Sequence, residues 1–151
     1  MAVRKITNKG CKKIIGKFPS LKLGRLIWWE SQIERDYIYL LEFDPAVISY
    51  EEQPIRISYH LNGKERHYTP DFLVRQADRN LIVEVKQEKE ALKEENQRLF
   101  NIVGAICARD DYEFIVVTDK MIRVQPRLDN IKLLTRYQRT PIHDSHYQIV
   151  C

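Results

Sequence analysis

The 151-residue sequence predicts an α/β fold: a mixed β-sheet flanked by helices, in the order helix, three strands, helix, strand (αβββαβ). Three observations carry that prediction. Apolar residues recur at helical spacing over 31–42 and again over 88–107. Between those stretches lie extended runs punctuated by turn residues, including the two-residue hairpin signal Asn62-Gly63. After the second helix comes Phe114-Ile115-Val116-Val117-Thr118, a continuous apolar run of the kind that pairs in parallel. A meander followed by a crossover helix and one more strand makes a mixed sheet covered by helices.

Each element has its local reason. Residues 1–25 read as a basic arm with weak helical character, punctuated by Pro19-Ser20 and Gly24. In the first helix Ile33, Tyr37, Leu40 and Leu41 form one apolar stripe, Ser31 and Glu34 fit a capping box, and Phe43-Asp44-Pro45 ends the helix. Residues 46–61 look extended, with Pro54 marking a bend or an edge. Residues 65–75 return as the second strand, 77–80 turn, and 81–86 form the third. In the helix over 88–107, Leu92, Leu99, Val103 and Ile106 are the expected buried seam, and Asp110-Asp111 closes it. A last helix is expected over 127–138, ahead of an unpatterned tail.

Composition bounds the function classes. With 44% hydrophobic and 30% charged residues the chain reads as one soluble domain, without a membrane span or secretory leader. Cys11, Cys107 and Cys151 are too few and too scattered for a disulfide framework or a zinc pair, so a reducing bacterial cytoplasm is the expected compartment. The net charge of +4 is unevenly spread. Residues 1–29 hold eight Lys or Arg and no acid, residues 30–122 hold 12 basic and 19 acidic residues, and residues 123–151 return to +3. Acid-free basic surface suits nucleic-acid phosphates, whose counterions it releases. Lys9, Lys12, Lys13, Lys17, Lys22 and Arg25 are the DNA-binding candidates. The chain then divides into a basic arm (1–25), a core (26–122) and a basic C-terminal helix and tail (123–151).

The acidic middle holds the candidate chemistry. Asp71 follows Pro70 early in the second strand, and Glu84-Val85-Lys86 ends the third. Alternation puts Glu84 and Lys86 on one face and Val85 on the other, and strands ~4.8 Å apart bring Asp71 beside Glu84. Two carboxylates that close repel unless a cation sits between them, and Mg²⁺ with part of its water shell is the usual answer. Lys86 would then orient or activate a metal-bound water, which fits phosphodiester hydrolysis. The bland reading is a turn aspartate and an exposed ion pair worth ~0–1 kcal/mol. Glu34, at the margin of the helical stripe, can reach the sheet edge, unless it serves only as the cap partner of Ser31. Glu30 and Glu95 are its rivals, and His67 is a lesser candidate for phosphate contact.

Asp71, Glu84 and Lys86 within this strand order resemble the restriction-endonuclease-like superfamily of metal-dependent nucleases. A longer set of motifs, Glu30 to Tyr37, Leu41 to Pro45, Glu52-Gln53-Pro54, Tyr68 to Val74, Val83 to Lys86 and Val117 to Asp119, resembles the N-terminal nuclease domain of the TnsA endonuclease subunit of heteromeric transposases. The resemblance implies Glu34, Asp71, Glu84 and Lys86 as catalytic residues, and Glu34, Asp71, Glu84 and Val85 as metal positions. It implies Mg²⁺ as cofactor, with Mn²⁺ substituting. It also implies cutting of the 5′ ends of a transposon in double-stranded DNA, alongside a DDE-type transposase and an AAA+ ATPase regulator. About 30 residues follow Asp119, so the family's further helical domain is expected to be reduced or missing, which puts the regulator contact in question. An autonomous restriction-like or junction-resolving nuclease, and a non-catalytic DNA-binding assembly subunit, are the competing expectations.

Overall fold

The structure, a computed structural model, describes residues 15–139. The chain enters with a hairpin of β1 (Gly16–Ser20) and β2 (Arg25–Trp29), paired from Gly16↔Trp29 to Ser20↔Arg25. The expected weak helix is therefore a β-hairpin from Gly16 onward, and the expected arm boundary at residue 25 falls inside it. A period-2 pattern decides this, concealed in sequence by the regularly spaced lysines. Phe18, Ser20, Ile27 and Trp29 are all buried. Gly24 closes the turn at φ 68° and donates its N–H to the Ser20 carbonyl.

Helix α1 (Gln32–Phe43) starts at the predicted cap: Ser31 Oγ accepts the Glu34 N–H at 3.1 Å. Tyr37, Ile38 and Leu41 are buried, with Ile33 and Leu40 packed against the same core. Its C-terminal end is closed by a side chain from the hairpin turn. Lys22 Nζ donates to the carbonyls of Leu41, Asp44 and Val47 at 2.7, 2.8 and 2.8 Å, where the helix dipole favours a cation.

Next come β3 (Val47–Glu52), β4 (Ile57–Leu61), β5 (Lys64–Tyr68), β6 (Phe72–Gln76) and β7 (Asn80–Lys86). The two long strands expected on either side of Asn62-Gly63 are each cut in two. β4 and β5 form a separate two-stranded ribbon, closed by Asn62 and Gly63 at φ 53° and 75° as a type I′ turn requires. β3 and β6 pair inside the main sheet, Glu52 opposite Phe72. The break falls at Pro54 on one strand and Pro70 on the other. Neither offers an N–H to the ladder, so pairing stops on both sides at once. From Glu52↔Phe72 to Ile57↔Tyr68 the first strand uses one more residue than the second, as in a bulge.

The crossover is α2 (Glu88–Ala91) followed by α3 (Glu94–Arg109), not one helix over 88–107. Asn96 Nδ2 and Gln97 Nε2 donate to the carbonyls of Glu90 and Ala91, capping the short helix from the side. Leu92 falls in the break and is 68% exposed, so it leaves the expected seam. Phe100, Val103 and Cys107 take the buried positions, with Leu99 and Ile106 beside them. β8 (Tyr112–Thr118) then pairs parallel with β7, as expected, and completes the sheet order β3-β6-β7-β8. β8 is a half-buried edge strand, not a fully buried one.

The sheet is covered on both faces. Phe72, Val74, Leu81, Val83 and Val85 pack toward the hairpin and α1, whereas Leu73 and Ile82 pack with Val103 and Cys107 of α3. After β8 come α4 (Asp119–Ile122), which the sequence pattern missed, and the predicted terminal helix α5 (Arg127–Arg139). α5 is tied to α1 through Asp36, which is 3% exposed. Lys132 Nζ and Arg123 Nε each lie 2.9 Å from its carboxylate. Among the described residues, no helix is long and apolar enough to cross a membrane.

Candidate active site

Pro70 interrupts the ladder and Asp71 resumes it. The Asp71 N–H donates to the Val83 carbonyl at 3.1 Å, and its own carbonyl accepts from the Gln53 N–H at 2.8 Å. Its side chain reaches across to β7, where Oδ2 accepts the Val85 N–H at 2.8 Å. The aspartate is thus fastened to the backbone on either side of Glu84. Glu84 and Lys86 follow the predicted alternation, with Val85 turned into the core. Lys86 Nζ lies 3.5 Å from Glu84 Oε2, and the Tyr68 hydroxyl donates to Glu84 Oε1.

Glu34 enters from the first turn of α1 and does both things considered for it. Its carboxylate accepts from Ser31 Oγ at 3.1 Å and from the Glu30 N–H at 3.2 Å, completing the cap. It also lines the same cleft as Asp71, Glu84 and Lys86, a cavity of ≈ 570 Å³ with Glu30, His67 and Tyr68 on its walls. All four predicted catalytic residues therefore meet in one place. Glu95 is exposed on α3 and does not line the cleft.

Burial, and then the neighbouring Asp71 carboxylate, push the Glu34 carboxyl up to about 7. Burial also raises Glu84, against the hydrogen bond from Tyr68 and the charge of Lys86. Burial and the adjacent Glu84 raise Tyr68 far above the usual phenol range, so its hydroxyl stays a donor. Carboxylates crowded and desolvated in this way favour a bound cation. Among the described residues, no three acidic, thiol or imidazole groups close into a ready metal cage. Mg²⁺ does not ask for one: it takes one or two carboxylates and completes its shell with water and phosphate oxygens. The all-oxygen donor set of Asp71, Glu84 and Glu34 fits a hard divalent ion. Val85 can add only its main-chain carbonyl.

Sequence reasoning missed two residues here. Tyr68 is the phenol that holds Glu84. Its signal was the strand alternation that pairs it with the inward-facing Ile57. Gln53 is 3% exposed at φ 43° and donates from Nε2 to Glu30, in addition to its backbone bond with Asp71. Its one signal in the sequence is its place in the Glu52-Gln53-Pro54 motif, which gives it no role.

The DNA-binding candidates fare differently. Lys9, Lys12 and Lys13 lie outside the described residues. Lys22 caps α1, and Arg25 holds Glu52 through two nitrogens, at 2.9 and 3.3 Å. Both charges are used inside the fold. Lys17 stacks over the Trp28 ring at 4.6 Å.

The family model described as TnsA-like endonuclease N terminal matches residues 44–119, from just before β3 to the start of α4. That span is half the chain and holds Asp71, Glu84 and Lys86, with Glu34 ahead of it. No curated protein matches the sequence.

Proposed function

The chain belongs to the TnsA-like endonuclease N-terminal family, and from that premise we propose that it is the metal-dependent endonuclease subunit of a transposase, hydrolysing the 5′-end phosphodiester bonds of a transposon in double-stranded DNA while a DDE-type transposase partner acts on the 3′ ends. The observation that carries this reading is the fastening of Asp71 to Val85 beside Glu84 and Lys86, in a cleft that Glu34 also reaches.

Asp71, Glu84 and Glu34, with the Val85 carbonyl, would hold Mg²⁺. The ion, when bound, supplies Lewis-acid stabilisation of the phosphate and a more acidic water. The chain's own groups do the positioning. The Val85 N–H fixes which Asp71 oxygen faces the cleft. The Tyr68 hydroxyl occupies Glu84 Oε1 and leaves Oε2 turned toward Lys86. Lys86 Nζ, partly open to solvent, donates hydrogen bonds to the attacking water or a phosphate oxygen, and its charge offsets the negative charge that builds up in the transition state.

The test is strand cleavage by the purified protein with Mg²⁺ or Mn²⁺, alone and then with its transposase partner on transposon-end DNA, beside Asp71→Ala. The expected result is 5′-strand cutting by wild type that the variant loses while it keeps the native fold by circular dichroism. Cutting by Asp71→Ala at the wild-type rate overturns the site, and a wild type silent even with the partner overturns the function.

A further inference from the structure

The cleft is lined by Glu30, Glu34, Asp71, Glu84 and Glu90 against the single ammonium of Lys86. A polyanion is not held by such a surface through charge alone, so its backbone must be gripped by cations nearby. The β4–β5 ribbon stands at the rim. Its Tyr68 end lies in the cleft wall, and His67 lines the same wall. The rest of β5 runs outward through exposed, charged residues: Arg66, Glu65 and Lys64.

The pleat sorts these charges. Lys64 and Arg66 share a face with Tyr68, while Glu65 and His67 take the other, where Glu65 lies 3.9 Å from His67 Nε2. The one acid of the strand is thereby turned away from the two cations. Arg56 precedes β4 at the cleft end of the ribbon. Many cations elsewhere are committed to carboxylates, as in Arg25–Glu52, Arg79–Glu113 and Lys132–Asp36. Arg56, Lys64 and Arg66 have no such partner among the described residues and are exposed.

We propose that the β4–β5 ribbon is a duplex-DNA contact beside the cleft, with Lys64 and Arg66 taking backbone phosphates and Arg56 holding the strand close to the cleavage point. The proposal rests on the nuclease reading above and adds where the substrate runs. A two-stranded ribbon is an element the major groove admits. From Tyr68 to Lys64 the strand advances four residues, about 14 Å, or about four base-pair steps. Contacts from the ribbon therefore fall within a few base pairs of the bond to be cut.

The experiment is a salt titration of affinity for a short fluorescent DNA duplex in EDTA, by anisotropy, using the full chain. Lys64→Ala/Arg66→Ala is compared with wild type and with Arg75→Ala, an exposed cation at the opposite end of β6 from Asp71. The expected result is a slope of log affinity against log salt shallower by about 1.8 in the double variant, ~0.9 for each phosphate no longer neutralised. Arg75→Ala keeps the wild-type slope. A double variant with wild-type slope and affinity overturns the proposal, as does a wild type with no duplex affinity or one that prefers single-stranded RNA. None of these outcomes alters the Asp71→Ala cleavage comparison, so failure of the ribbon and failure of the nuclease assignment are read separately.

Discussion

Gln53 accepts a backbone angle that side chains avoid, at φ 43°, and it does so buried between two strands. Left-handed geometry costs a residue with a Cβ ~1–2 kcal/mol, which glycine escapes. Gln53→Ala and Gln53→Gly lose the same hydrogen bond to Glu30, so their difference isolates the backbone. Chemical denaturation is expected to find the glycine variant more stable by about 1 kcal/mol. Equal stabilities would show that the strain is not borne there. Tyr68 poses a cleaner question, because Tyr68→Phe keeps the ring and removes only the donor to Glu84. Residues that orient a metal ligand typically matter by ~10–100-fold, so cleavage should fall by that order with the fold unchanged. Undiminished cleavage would leave the phenol with a packing role alone. Cys107 is buried, and burial raises its thiol, so the reactive thiolate is disfavoured. Peptide mapping after alkylation of the native protein should find Cys107 unlabelled until denaturant is added.

Buried polar contacts add to the apolar packing that holds the elements together. Asp36 joins α1 to Arg123 and to Lys132 of α5. Burial by itself would raise its carboxyl, but hydrogen bonds from Lys132 and Arg123, with Arg35 adding its charge, outweigh that and hold it below its ordinary value. A depressed folded value stabilises the native state above the unfolded pKa of ~3.9 and ceases to do so as pH falls through the folded one. Asp36→Ala should therefore cost ~2 kcal/mol near neutral pH, less than a fully buried pair because Arg123 and Lys132 are partly solvated. The deficit against wild type, followed by denaturation at several pH values, should shrink in acid. A constant deficit would assign the loss to packing. The elements themselves were unevenly legible. α1 was readable because its cap and stripe are local, whereas α2 and α3 merged into one helix. The break between them depends on Asn96 and Gln97 side chains reaching back to Glu90 and Ala91.

Over the whole molecule, a sheet covered on both faces supports a cleft that is costly to keep. Crowded carboxylates destabilise the protein without a cation, so Glu34→Gln is expected to raise its stability by about 1 kcal/mol, or roughly 2–4 °C in Tm, while depressing cleavage. Scanning calorimetry in EDTA checks the first part, and an unchanged or lower Tm would show that the cap of α1 matters more than the repulsion. Residue order was enough to determine the mixed sheet with its parallel last strand, the hairpin turn at Asn62-Gly63, and the meeting of Asp71 with Glu84 and Lys86. Each follows from spacing along neighbouring strands and a period of two. The remainder was settled only in three dimensions. Lys22 and Arg25 were drawn into the fold by a helix end and a buried Glu52. Pro54 and Pro70 fell in the same gap between two paired stretches and freed the ribbon from the sheet. Tyr68 and Gln53 became part of the site. These outcomes depend on partners distant in the chain, and no local pattern of residues encodes an interaction whose other half lies on another element.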